Sequence, residues 1–94
     1  MIKATNYNGT KAKETTSFFI QSKGNKSGNP IKTPSANCFE ISVDPNFLNA
    51  DYTFYLFSHL FNTGVFQKNI KGSVIPFITK DMILKAFNDF MLNK

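Results

Sequence analysis

The chain has 94 residues, of which 41% are hydrophobic and 18% charged, a balance typical of one small globular domain and unlike that of a disordered chain. Its net charge of +5 comes from eleven lysines and six acidic residues, without any arginine. The single cysteine excludes an internal disulfide and a paired-cysteine metal site, and the apolar runs are too short to cross a bilayer.

Lysines and acids are unevenly distributed along the chain. Residues 1–34 contain six lysines and one acid (+5), residues 35–67 three acids and no lysine (−3), and residues 68–94 five lysines and two acids (+3). Basic surfaces attract polyphosphates such as nucleic acid through long-range forces that salt screens. A composition rich in lysine and poor in arginine follows equally from codon usage or solubility, so both interpretations stay open.

The first sixteen residues are polar and aperiodic, and they predict an extended or partly mobile lead-in over residues 1–16. A single α+β domain is then expected over residues 17–94. It begins with SFFIQ at residues 17–21, a run rich in β-forming residues that predicts a strand. No signal-peptide pattern opens the chain, so the expected location is the cytoplasm.

Residues 22–34, SKGNKSGNPIKTP, contain two glycines, two prolines and three lysines, which is turn and loop chemistry. Gly24 and Gly28 free the backbone, so the loop is suited to offer amide and ammonium groups to a phosphate. The two glycines are only four residues apart and no Gly-Lys-Ser/Thr follows, so the spacing of a P-loop is missing. We therefore expect no P-loop nucleotide cradle and no cofactor.

The segment Cys38–Val43, CFEISV, alternates in a way that predicts a half-buried strand. Cys38 is interpreted as a small strand residue, because no basic cluster accompanies it. His59 is the only histidine and is interpreted as a neutral residue at the edge of the core, since a lone Cys-His couple has no orienting partner. The sequence therefore predicts no catalytic residue, no metal ligand and no enzyme activity.

Residues 49–62 predict a helix, with Asn49 or Asp51 as the N-cap and Gly64 as the C-terminal stop. A strand is the second interpretation of this aromatic segment. Apolar residues surround nearly the whole helix, which therefore needs burial on most sides or a protein partner. One apolar stripe consists of Tyr52, Tyr55, Leu56, His59 and Leu60, and the other of Phe54, Phe57 and Phe61.

Two more short strands are predicted near residues 66 and 74, the second ending at Pro76, which lacks a backbone donor. Thr79 is the predicted N-cap of an amphipathic helix over Lys80–Leu92. The predicted fold is thus α+β: a small mixed or antiparallel sheet of about four short strands, packed by two helices. The strands are expected near residues 18, 39, 66 and 74.

Three segments together resemble a family of short uncharacterised proteins of bacteria, phages and mobile elements: FFIQSKGNKSGNPIKTPSANCFEI, YTFYLFSHLF and GSVIPFITKDMILKAF. The likeness covers roughly Phe18 to Phe87. In that family the second loop glycine is typically followed by Lys-Pro, where this chain has Asn29-Pro30. Ala36 replaces a proline before the central cysteine. These departures remove a loop charge and some rigidity but leave the overall pattern intact.

The second half is also similar to the target recognition domain of type I restriction-modification specificity subunits. In that domain an aromatic helix is followed by Gly-Ser/Thr, an apolar pair and a helix-starting polar residue. The likeness implies a mixed α/β fold that reads bases in duplex DNA, here as a stand-alone domain without coiled-coil spacers. The matching positions are residues 52–56, 72–73, 74–78 and 79–80.

The first functional hypothesis is a small non-enzymatic DNA-binding module. Lysines would neutralise phosphates, and asparagine amides are able to pair with adenine edges. The absence of arginine counts against it, because arginine makes the commonest specific contact with guanine. The candidate residues lie in the Gly/Lys loop and around the start of the last helix: Lys23, Asn25, Lys26, Asn29, Lys32, Lys71, Ser73, Thr79 and Lys80.

The second hypothesis is a protein-interaction protein of a phage or mobile element, such as an anti-defence factor or a small virion component. Its partner would be a host or phage protein, and its location the host cytoplasm. The aromatic stripe of Phe54, Phe57 and Phe61 is the predicted contact surface, because a small monomer has little else with which to cover it. The sequence predicts no membrane partner and does not specify an oligomeric state.

Overall fold

A computed structural model describes residues 2–7, 9, 14–66 and 77–92. It contains a four-stranded antiparallel sheet and two helices, which confirms the predicted small α+β fold. The elements, in chain order, are β1 (Ile2–Asn6), β2 (Phe18–Gln21), β3 (Pro30–Ile31), β4 (Cys38–Val43), α1 (Ala50–Asn62) and α2 (Lys80–Leu92).

The sheet has the spatial order β1-β4-β2-β3, with β4 in a central position. Ala4, Ile41 and Phe18 lie opposite one another across β1, β4 and β2, so they share one face of the sheet. The helices pack over the two edges, since α2 contacts β1 and α1 contacts β3. The apolar residues of that sheet face and of both helices therefore form one core.

Strand β4 is predicted in full by its alternating pattern, but it is buried on both sides rather than half-buried. Glu40 is only 2% exposed, and the Thr16 hydroxyl donates to its Oε1 at 2.6 Å. Phe19 of β2 and Thr5 of β1 lie opposite Glu40 on the second face. In a central strand, side chains of the two neighbouring strands also cover the polar face. The alternating sequence pattern does not predict this burial.

The membership of the sheet differs from the predicted one. Phe66, expected in a strand, lies in a turn after α1 and is 1% exposed, and the strand expected near residue 74 falls outside the described residues. The two edge strands of the sheet are β1 and β3. Strand β1 lies within the predicted lead-in, and β3 lies within the predicted loop. Pro30 fits an edge strand, because only one side of β3 is paired. The proposed division at residue 17 stays a prediction.

Both predicted helices are confirmed, together with their ends. Asn49 is the N-cap of α1 and its side chain accepts from the Tyr52 N–H at 2.9 Å. At the other end Gly64 has φ +84°, its N–H donates to Phe61 O, and the Val65 N–H donates to Leu60 O. These two bonds form a Schellman motif, the left-handed stop that glycine favours.

Candidate nucleic-acid interface

The candidate loop, residues 22–29, joins β2 to β3 and is held by its own hydrogen bonds. The Gly28 N–H donates to Gln21 O at 2.8 Å, and the Ser27 N–H and hydroxyl both donate to Gly24 O. The Asn29 N–H donates to Lys26 O at 3.0 Å. The backbone N–H groups of Ser27, Gly28 and Asn29 are thus used within the fold, so these three amides are not offered to a phosphate as the sequence suggested.

The loop lies directly against the chain entering α2. The Ile78 N–H donates to Ser22 O at 2.9 Å, and Lys23 forms an isolated antiparallel bridge with Phe77. Two segments that are more than fifty positions apart in sequence therefore meet at one place, as the first hypothesis requires. We call this meeting point of residues 22–29 with residues 77–80 the loop–helix junction.

The loop presents positive charge on its exposed side. Lys23, Asn25 and Lys26 are exposed, and Asn29 is half-buried. No aspartate or glutamate occurs between residues 15 and 39, so no acid of that segment offsets these lysines. Lys32 lies apart, with its Nζ 5.1 Å from the ring centroid of Phe54 on α1.

Among the candidates near α2, Thr79 has a structural role. Its Oγ1 accepts from the Met82 N–H at 3.3 Å, which makes it the predicted N-cap, and Lys80 beside it is half-buried. Lys71 and Ser73 lie outside the described residues. The contacts of Ser22 with Ile78 and of Lys23 with Phe77 join the two sides of the junction. Its loop side contains the candidates Lys23, Asn25, Lys26 and Asn29, and its helix side contains Thr79 and Lys80.

A hollow of about 220 Å³ opens at the same junction, and we call it the junction pocket. Its lining includes Asn6, Tyr7, Lys23, Ala36, Asn37 and Phe77. Apart from Lys23, none of these residues was a predicted site residue. They come from the end of β1, the residues just before β4 and the entry to α2, so only the tertiary fold brings them together. The polar Asn-Tyr-Asn at residues 6–8 is the one local signal.

The stripe predicted as a protein contact divides between core and surface. Phe57 is 0% exposed and packs against three other rings, so it belongs to the core and is not a free contact residue. Phe54 and Phe61 are half-buried against that core. The exposed aromatic residues are instead Phe47, Tyr52 and Tyr55, at 68%, 45% and 65%. Phe47 lies in the turn before α1, and the geometry of that turn exposes its side chain. The periodicity of the sequence does not predict this exposure.

Cys38 and His59, the residues considered as a catalytic couple, have different surroundings. Cys38 is buried and its thiol lies 3.4 Å from Ser35 O, whereas His59 is exposed on α1. No cluster of three His, Cys, Asp or Glu side chains occurs in the described part of the chain. Among the same residues, neither helix has the length and apolar character that crossing a bilayer requires.

Comparison with known proteins identifies the family and nothing beyond it. Neither the curated proteins nor the solved structures contain a match to the chain. A family model matches residues 4–94, nearly the whole chain, including the second half of β1 and both segments of the junction. The chain therefore belongs to DUF6943, a family of unknown function.

Proposed function

We propose that the chain is a non-enzymatic binding module whose partner is duplex DNA. The observation that carries this proposal is the loop–helix junction, in which an acid-free lysine loop packs against the start of α2 through the bond from Ile78 N–H to Ser22 O. Exposed lysines at one rigid point neutralise phosphates, and the nearby asparagines have the amide chemistry that pairs with adenine. In this proposal the domain acts alone, as a stand-alone counterpart of the target recognition domain that its second half resembles in sequence.

The loop has the rigidity that such a role requires. Its hydrogen bonds to Gln21 and Gly24 hold the tip, so Asn25 and Lys26 are presented without a large loss of backbone entropy on binding. Contacts by lysine alone give affinity with little sequence information. We therefore expect salt-sensitive binding with modest preference among sequences.

The test is the salt dependence of binding to a short duplex. For the wild type, log K is expected to fall with log salt at a slope of about −0.9 for each phosphate contacted. The double variant Lys23→Ala/Lys26→Ala should bind more weakly at low salt and lose about two units of slope. Fluorescence anisotropy with a labelled duplex measures both quantities.

Lys85→Ala is the control, since Lys85 is exposed on α2, is not one of the junction residues, and pairs with Asp89 at 2.8 Å. It removes one positive charge, as each of the two loop substitutions does, and should leave the slope within about half a unit of the wild type. An absence of wild-type binding at low salt would sink the proposal. An equal effect of Lys85→Ala and the loop variants would show that net charge, and not the junction, is responsible.

A second candidate is a protein-interaction role in a phage or mobile element, with a host or phage protein as partner. It is favoured by Tyr52 and Tyr55, which lie one helical turn apart on α1 and remain exposed. Tyrosines of this kind are common anchors in protein interfaces. Capture from host lysate by the wild type but not by Tyr52→Ser/Tyr55→Ser, unchanged by nuclease, would support it. Capture that nuclease abolishes would favour DNA instead.

A further inference from the structure

The junction pocket has the size of a small ring system. Its volume of about 220 Å³ corresponds to about seven water molecules, which is too large for a single ion. It is smaller than the usual pocket for a drug-sized ligand, which begins at about 300 Å³. The hollow is open to solvent, and its volume admits a group of one or two fused rings.

The residues that line the pocket indicate the chemical class of its ligand. Tyr7 and Phe77 provide aromatic surfaces, and both are half-buried. The Tyr7 ring is braced edge-on by Phe19, with centroids 5.7 Å apart, so its position is set by the sheet. Aromatic side chains held in this way are the surfaces on which nucleic-acid bases stack.

Polar groups stand at the same pocket. Asn37 brings an amide with both a donor and an acceptor, the combination that pairs with adenine N6 and N7. Lys23 brings the only formal charge among the described lining residues, and an ammonium group attracts phosphate. One planar base with a phosphate attached satisfies the aromatic, amide and ammonium groups together.

We propose that the junction pocket binds one nucleobase with its phosphate, adenine ahead of the other bases. The ligand is either a free nucleotide or an unpaired nucleotide of a DNA strand, and in the second case the inference rests on the proposed DNA-binding function. A base inside a paired duplex does not reach such a pocket without leaving its stack. Duplex binding by the loop lysines and base binding by the pocket are therefore separable.

The experiment blocks the pocket without removing a charge. Ala36 lines the pocket and is exposed, so Ala36→Trp fills the space while Lys23 and Lys26 stay in place. Titration calorimetry with dAMP and dTMP, and anisotropy with a paired duplex and the same duplex carrying one unpaired adenine, give the readouts. Wild type should bind dAMP more tightly than dTMP, and Ala36→Trp should weaken dAMP binding by about tenfold or more.

The two sources of the base give different outcomes. If the pocket takes a base from a strand, the duplex with an unpaired adenine binds about tenfold more tightly than the paired duplex, and Ala36→Trp removes that gain. If the ligand is a free nucleotide, dAMP binds but the unpaired adenine gives no gain. Absence of dAMP binding together with absence of that gain overturns the inference, even when the paired duplex binds normally.

Two further variants separate the pocket from the loop. Lys26 is outside the described lining, so Lys26→Ala should weaken binding to the paired duplex and leave dAMP affinity unchanged. Asn37→Ala removes a pocket amide and should lower the preference for dAMP over dTMP, which keeps the inference testable if Ala36→Trp does not fold. Equal effects of Lys26→Ala and Asn37→Ala on dAMP would contradict a distinct pocket.

Discussion

Gly24 and Gly28 have the same backbone conformation but different surroundings. Both have φ +95°, a region that L-residues with a Cβ rarely adopt. A Cβ on Gly24 would meet nothing within 4 Å, whereas one on Gly28 would lie 2.6 Å from Cδ2 of Phe66. Gly28 is therefore needed for the close approach of a core ring as well as for the turn.

Replacing each glycine by alanine separates these two requirements. Gly24→Ala should lower the free energy of unfolding by about 1–2 kcal/mol, the cost of a left-handed alanine. Gly28→Ala should cost about 2–4 kcal/mol, because the clash with the Phe66 ring adds to the same backbone cost. Urea denaturation of the two variants measures the difference. Equal losses would contradict the contact between Gly28 and Phe66.

The two helices could be predicted from sequence because their signals are local. Asn49, Gly64 and Thr79 each act within one turn of the helix end that they cap. The edge strands β1 and β3 could not be predicted from local signals. Strand β1 pairs with β4, which is distant in sequence, and β3 consists of only two residues, the first of them a proline. The candidate site divides in the same way: the lysine loop is visible in composition, but its contact with residues 77–78 and the pocket beside β1 depend on tertiary packing.

The cap of α2 gives a prediction at the scale of that element. Thr79→Asp keeps an acceptor for the Met82 N–H and places negative charge at a helix N-terminus, so stability should stay within about 0.5 kcal/mol of the wild type. Its carboxylate would repel a phosphate at the junction and weaken duplex binding by about tenfold at low salt. Thr79→Ala should do the reverse, losing about 1 kcal/mol of stability with little change in binding. Thermal unfolding and anisotropy measure the two effects, and a loss of binding by both variants in proportion to stability would contradict a DNA contact at this helix end.

Across the whole molecule, aromatic rings connect the sheet to both helices. The Phe57 ring of α1 lies 6.0 Å from Phe18 of β2 and 6.0 Å from Phe87 of α2, centroid to centroid. It also stacks at 6.5 Å on Phe66, the ring that approaches Gly28. The Phe57 ring thus connects the sheet with both helices. Through Phe66 it also connects them with the candidate loop at Gly28.

Truncating this ring should therefore weaken the entire domain. Phe57→Ala is expected to lower the free energy of unfolding by about 3–5 kcal/mol, a large part of the roughly 5–15 kcal/mol available to a domain. Tyr55→Ala, on the same helix but 65% exposed, should change it by about 0.5 kcal/mol or less. Urea unfolding followed by circular dichroism, with tyrosine fluorescence as a second probe, should show one cooperative transition shifted in Phe57→Ala alone. A loss below about 1 kcal/mol, or separate transitions for the two probes, would show that Phe57 does not hold sheet and helices together.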